Sequence, residues 1–147
     1  MIVWRLAHKD YAKLDGIGAK RKGGRWNSPG HAVVYASSHL SLAALELLVH
    51  LEVDIEDIPD DYVSIKIDVP DSLPVTTTRA KPDLDDQDSS RTIGDKWVKA
   101  NKTPCLQVAS VVIPQEQNIL INPNHDEMVK IKTTKKEKFE FDPRLFG

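Results

Sequence analysis

The most regular alternation along the chain sets Val63, Ile65, Ile67 and Val69 against Ser64, Lys66 and Asp68. Successive strand side chains point to opposite faces, so this run predicts a half-buried strand, stopped by Pro70. His31 to Ala36 predicts a second strand, with Val33 and Tyr35 on one face and Val34 and Ala36 on the other. Residues 3 to 7, Leu106 to Ile113 and Ile119 to Ile121 predict three more. The clearest helical pattern runs from about Leu40 to Glu52, capped by Ser37 or Ser38, and is apolar from Leu42 to Val49 except at Glu46. Thr92 to Ala100 predicts a second helix, with Ile93 and Trp97 one turn apart and Asn101 as its C-terminal cap.

Between these elements the chain is polar and rich in turn formers. Asp15 to Gly18 predicts a turn, Lys20 to Gly24 a basic glycine-rich loop, and Pro70 to Ser90 a long surface loop. The tail predicts a hairpin, Met128 to Lys132 and Phe139 to Phe141 flanking a Lys135-Lys136 turn. Strands before, between and after two modest helices give an α+β class rather than a doubly wound sheet. A length of 147 residues suits one domain, residues 1–147.

Composition narrows the function classes. Twenty basic against 22 acidic side chains leave a formal charge of -2, so no global field draws the protein to nucleic acid or a membrane, and an anion site must be local. Arg5, His8, Lys9 and Asp10 interrupt the apolar start before a signal core or membrane span forms, and Cys105 has no disulfide partner. The expected location is cytoplasmic. The five histidines show no ligand spacing, so no metal is expected.

Four features bear on chemistry. Glu46 in an apolar helix is costly to bury unless paired or facing a cavity; it shares a stripe with Ala43 and His50, while Leu42, Leu45, Leu48 and Val49 favour another side. The alternative is a glutamate on the solvent side. In Gly23-Gly24-Arg25-Trp26-Asn27-Ser28-Pro29-Gly30 the glycines allow close backbone approach and Arg25 can grip a phosphate, or the segment is only a basic surface loop. It lacks the Lys-Ser/Thr ending of a P-loop. Tyr35 either fills the core or faces a ligand. Ser110 is a polar insertion on the face of Leu106, Val108 and Val112, and Asn118, Asn122, Pro123, Asn124 and His125 cluster around a short strand.

The order of these segments resembles the RES-domain family. The resemblance is carried by Trp4-Arg5-Leu6, Asp15-Gly16 through Gly18-Ala19, the Gly23 to Gly30 block, Val34-Tyr35-Ala36-Ser37, Ala44 to His50, Ala109 to Pro114, Asn118 to His125, and Phe141-Asp142-Pro143-Arg144. The arginine, glutamate and serine that name the family map onto Arg25, Glu46 and Ser110; Ala109 stands where the family favours proline. The resemblance implies a fold like that of ADP-ribosyltransferases, mixed β-sheets flanked by short helices, and NAD as substrate rather than prosthetic group. It implies a toxin that cleaves the nicotinamide-ribose bond as a glycohydrolase or phosphorylase, or alternatively one that transfers ADP-ribose to a protein. Arg25, Tyr35 and Glu46 form the expected reaction centre, an arrangement similar to the His-Tyr-Glu set of diphtheria-like transferases. Arg25, Trp26, Asn27, Tyr35, Ser110, Asn122 and His125 are expected to bind substrate. The implied partner is an Xre-like helix-turn-helix antitoxin that blocks the site, with a homodimer compatible with such a complex and no direct contact to nucleic acid or membrane. Two rivals remain: a nucleic-acid-acting toxin using Lys20 to Arg25 and Lys130 to Lys138, and a non-catalytic module in which Glu46 and Arg25 merely pair.

Overall fold

The computed structural model describes residues 1–51, 60–82 and 85–146. In chain order its elements are β1 (Ile2–His8), α1 (Ile17–Lys22), β2 (Val34–Ser37), α2 (Leu40–His50), β3 (Tyr62–Asp68), β4 (Val75–Thr77), α3 (Gln87–Ala100), β5 (Cys105–Ala109), β6 (Gln117–Ile121) and β7 (Lys132–Phe139). All seven strands join one sheet in the order β4-β5-β6-β2-β1-β3-β7. Every pairing is antiparallel except β4 with β5, so the sheet is mixed and the class is α+β, as expected.

Alternation along the strands gives each face of the sheet its own core. One face buries Val3, Val34, Ala36, Ile65, Ile67 and Ile121 in the largest cluster. Fully burying each such aliphatic chain stabilises by roughly 1.5–3 kcal/mol. The opposite face carries two smaller clusters. Trp26, Val33, Leu106, Val108 and Leu120 pack with Trp97 of α3, while Leu6 and Tyr62 pack with Ala43 of α2. Tyr35 packs with Val33 in the first of these, and Val34 and Ala36 lie on the other face, so the expected facing of β2 is met.

Several local expectations are corrected. Lys20 to Lys22 belong to α1 rather than to a loop, because Gly16, at φ +66°, turns the chain into a helix that the local composition disguises. Any Cβ at Gly16 would also come within 2.6 Å of the Val33 amide nitrogen. The Pro70 to Ser90 segment holds β4 and the first turn of α3; Asp86 caps that helix by accepting from the Ser89 amide. Its Asp83 and Leu84 lie outside the described residues, as does Glu52, the expected last residue of α2. Neither Ser37 nor Ser38 caps α2, whose N-cap position is His39. The tail forms no hairpin: a 3-10 turn (Asp126–Lys130) leads into β7, one continuous edge strand paired with β3. Among the described residues no helix is long and apolar enough to cross a membrane.

Candidate active site

β1 and β2 are joined through a single residue pair, Trp4 with Ser37. Next to it, Nη1 of Arg5 donates to the Tyr35 carbonyl at 3.0 Å, a side chain standing in for a ladder bond. Over this seam opens a cleft of about 500 Å³, bounded by β1, β2, β6, α1, α2 and the glycine-rich loop. That volume suits a small-molecule ligand.

Glu46 enters the cleft from α2, on the same stripe as Ala43 and His50, which also line it. Leu42 is buried, but Leu45 and Val49 are exposed, so the apolar residues off this stripe are split between core and solvent. The Glu46 carboxylate is held by two neutral donors. Ser110 Oγ donates to Oε1 at 2.5 Å and Asn118 Nδ2 donates to the same oxygen at 2.8 Å. Ser110 itself lies just past the end of β5 and not within a strand; its hydroxyl oxygen accepts the amides of Val112 and Ile113. Asn118 Oδ1 accepts from Ser37 Oγ at 2.7 Å. A carboxylate only accepts, so the Asn118 NH₂ must face Glu46 and its carbonyl must face Ser37. Among the described residues Oε2 receives no hydrogen bond, which leaves half of the carboxylate for a ligand.

Across the cleft, Tyr35 anchors the glycine-rich segment. Its hydroxyl donates to Asn27 Oδ1 at 2.6 Å and accepts the Trp26 amide at 3.1 Å. Burial pushes that hydroxyl well above its ordinary range, so it stays protonated. Asn27 is wholly buried, and its Nδ2 donates to the carbonyls of Ala19 and His31. It ties the loop together behind Tyr35. Trp26 is buried with Trp97 but also lines the cleft, and Arg25 lines it beside Arg21 and Lys22 of α1.

Helix α3 secures this loop from outside. Arg91 Nε and Gln87 Nε2 both donate to the Gly24 carbonyl, at 3.0 and 3.3 Å. Asp95 accepts both the amide and the hydroxyl of Ser28, at 2.8 and 2.6 Å. Gly94 lies directly under the Trp26 backbone. Arg25 is thus carried on five residues fastened at both ends.

Asn122 and His125 are placed elsewhere. Asn122 Nδ2 donates to Asn101 Oδ1 and its Oδ1 accepts the Asn124 amide, while His125 Nδ1 accepts the Glu127 amide. Neither lines the cleft. The geometry brings Arg25, Trp26, Tyr35 and Glu46 around one cavity, with Ser110 behind Glu46 and Asn27 behind Tyr35. Sequence reasoning missed the link from Asn118 to Glu46, which needs the register that pairs Ser37 with Asn118. It missed Arg91, Gly94 and Asp95 as well, since only tertiary contact reveals them. Among the described residues no group of three His, Cys, Asp or Glu is arranged to hold a metal ion.

The profile of the RES domain matches residues 2–142. The chain belongs to the RES-domain family. A Sphingobium sp. (strain YBL2) protein named Prs ADP-ribosylating toxin is 37% identical over 154 residues, covering 97% of this chain and 94% of that protein. Toxin Res of Pseudomonas putida is also 37% identical, over 99% of this chain and 100% of its own. A chain of the crystal structure of the M. tuberculosis MbcT-MbcA toxin-antitoxin complex superposes with a TM-score of 0.71, covering 99% of this chain and 86% of that one. Its 18% identity speaks for a shared fold. The chain is therefore a toxin of the RES type.

Proposed function

We propose that this RES toxin consumes NAD by breaking the bond between nicotinamide and ribose, and that it does so as a glycohydrolase or phosphorylase. The observation that carries the reading is the Glu46 carboxylate, which lines a cleft together with Tyr35 and Arg25 and is pinned through Oε1 by Ser110 and Asn118, with no donor to Oε2 among the described residues. In the reaction the C1′–N bond breaks, its electron pair leaves with neutral nicotinamide, and positive charge develops on C1′ and the ring oxygen of the ribose. A fixed carboxylate stabilises that charge without having to reorganise. Water, losing a proton, or phosphate then forms the new C1′–O bond. Arg25 with Arg21 and Lys22 supplies positive potential for the pyrophosphate, and the Tyr35 ring packs against the reacting end.

Purified protein incubated with NAD, with and without phosphate, tests this reading. The expected products are nicotinamide with ADP-ribose or ADP-ribose 1″-phosphate. Glu46→Gln keeps the shape and both donors but removes the charge; it is expected to fold normally and lose roughly 100-fold or more in turnover. Near-normal NAD loss in a folded Glu46→Gln protein removes Glu46 from the chemistry. A second reading, transfer of ADP-ribose to a protein, is favoured by the name of the Sphingobium relative. Labelled ADP-ribose retained on a cellular protein, with little free ADP-ribose, would select it.

In either reading the toxin acts in the bacterial cytoplasm. An Xre-like helix-turn-helix antitoxin covers the cleft, and the complex accommodates a homodimer of the toxin. Rescue of growth and of NAD levels by co-expressed antitoxin checks this. Cleavage of RNA at constant NAD would point instead to the nucleic-acid rival.

A further inference from the structure

One end of the cleft is used by none of the groups above. It is walled by His8, Tyr11 and Tyr62, together with Leu6, Leu47 and His50. The His8 ring meets Tyr62 edge-on at 6.1 Å and Tyr11 at 6.4 Å. Tyr62 is buried and backed by Phe141, which packs in turn on Phe139 and Phe146, so this wall is fixed. Tyr11 is different: 44% of it is exposed at the cleft mouth. Its ring also abuts α1, since a Cβ at Gly18 would sit 3.7 Å from Tyr11 Cδ1. Gly18 lies one helical turn before Arg21 and Lys22, so the aromatic end adjoins the cationic rim.

Register separates this end from the reacting centre. Asn118, which holds Glu46, is level with Ser37, and Ser37 with Trp4. His8 and Tyr62 are level with one another, four residues further along β1. At strand rise that is roughly 13 Å. A dinucleotide whose first ribose lies at Glu46 and whose pyrophosphate lies at the cationic rim has its second base at about this distance.

Building on the NAD reading, we propose that His8, Tyr11 and Tyr62 form a subsite for the purine ring of the substrate, with Tyr11 covering its outer face. Stacking of a base on an aromatic side chain is sequence-tolerant and strong enough to be read by alanine substitution. The subsite makes the adenylate half of the substrate a source of binding energy, distinct from the half that reacts.

The test compares NAD with nicotinamide mononucleotide, which keeps the reacting bond and lacks the adenylate, in wild type, Tyr11→Ala and Tyr11→Phe. Tyr11→Ala is expected to raise KM for NAD by roughly 5- to 150-fold with kcat little changed. It should leave the mononucleotide unaffected, and Tyr11→Phe should restore NAD. Equal loss on both substrates places the ring against nicotinamide and overturns the subsite; no loss on NAD overturns it too. A second arm needs no turnover: calorimetric binding of AMP and of ribose 5-phosphate. AMP is expected to bind more tightly than ribose 5-phosphate, with Tyr11→Ala abolishing the difference. Equal binding of the two by wild type overturns the subsite. A wild type that discriminates them yet consumes no NAD keeps the subsite and refutes the proposed reaction.

Discussion

Gly94→Ala separates two forces that pull in opposite directions. In an exposed helix interior the exchange is favourable, because alanine is a better helix former by about 1 kcal/mol. Here Gly94 is buried in the middle of α3 with the Trp26 backbone against it. An added Cβ would fall inside the van der Waals envelope of the Trp26 carbonyl oxygen, 2.7 Å from its carbonyl carbon and 3.1 Å from its Cβ. Two backbones must then move apart. Overpacking of this kind typically costs about 1–3 kcal/mol and occasionally more, and here the displaced partner is backbone, which has no alternative rotamer. The loss also reaches Asp95 and Arg91, whose bonds to Ser28 and Gly24 depend on the same approach. A net destabilisation of about 2 kcal/mol is expected after the propensity gain is subtracted, a fall in Tm of roughly 4–8 °C for a chain of this size. Thermal unfolding by circular dichroism measures it, and KM for NAD is expected to rise with it because Arg25 rides on the displaced loop. A Gly94→Ala protein with a Tm equal to or above wild type would refute the packing argument, since propensity alone predicts that outcome.

Asp95→Ala removes a carboxylate that accepts twice from Ser28 and is expected to cost roughly 1.5–3 kcal/mol in urea unfolding; a loss under half a kcal/mol would mean that α3 does not secure the loop. Asn118→Asp puts a second carboxylate beside Glu46, and like charges disfavour joint ionisation. The acid limb of the pH-rate profile should therefore move to higher pH, whereas Asn118→Ala should lower kcat without that movement. Burial pushes the Cys105 thiol from 9.0 up to about 12. The folded state thus favours the neutral thiol, and the unfolded chain gains by ionising from about pH 9. Stability is intact below pH 9 and falls between 9 and 12, by about 1.4 kcal/mol per pH unit for this group. Between pH 8 and 10 the urea midpoint of wild type should drop further than that of Cys105→Ala; equal drops would show that the thiol carries none of the loss.

What the sequence disclosed depended on how local the cause was. β3 was legible because one of its faces is core and the other is not, and α2 because its apolar run needs no partner to be recognised. β7 was misread as a hairpin: it is an edge strand whose residues from Lys132 to Lys138 are all exposed, so neither face leaves a hydrophobic period. Lysines along such an edge also guard it against pairing with other chains. β4 pairs in parallel with β5, thirty residues later in the chain, and nothing in Val75 to Thr77 announces that. At the site, the resemblance supplied Arg25, Tyr35, Glu46 and Ser110. It did not supply Asn118 as the second donor to Glu46, because Ser37, Asn118 and Glu46 meet only through the β2–β6 register.

The two donors that fix Glu46 stand 64 and 72 residues after it in the chain. β6, which carries Asn118, also lies between β2 and β5, so the sheet closes around a strand made late. While the polypeptide is being synthesised, its first hundred or so residues already hold the arginine, tyrosine and glutamate but have nothing to seat the carboxylate. On the proposed reaction, a growing or truncated chain therefore lacks a seated carboxylate until the last third is out and has paired.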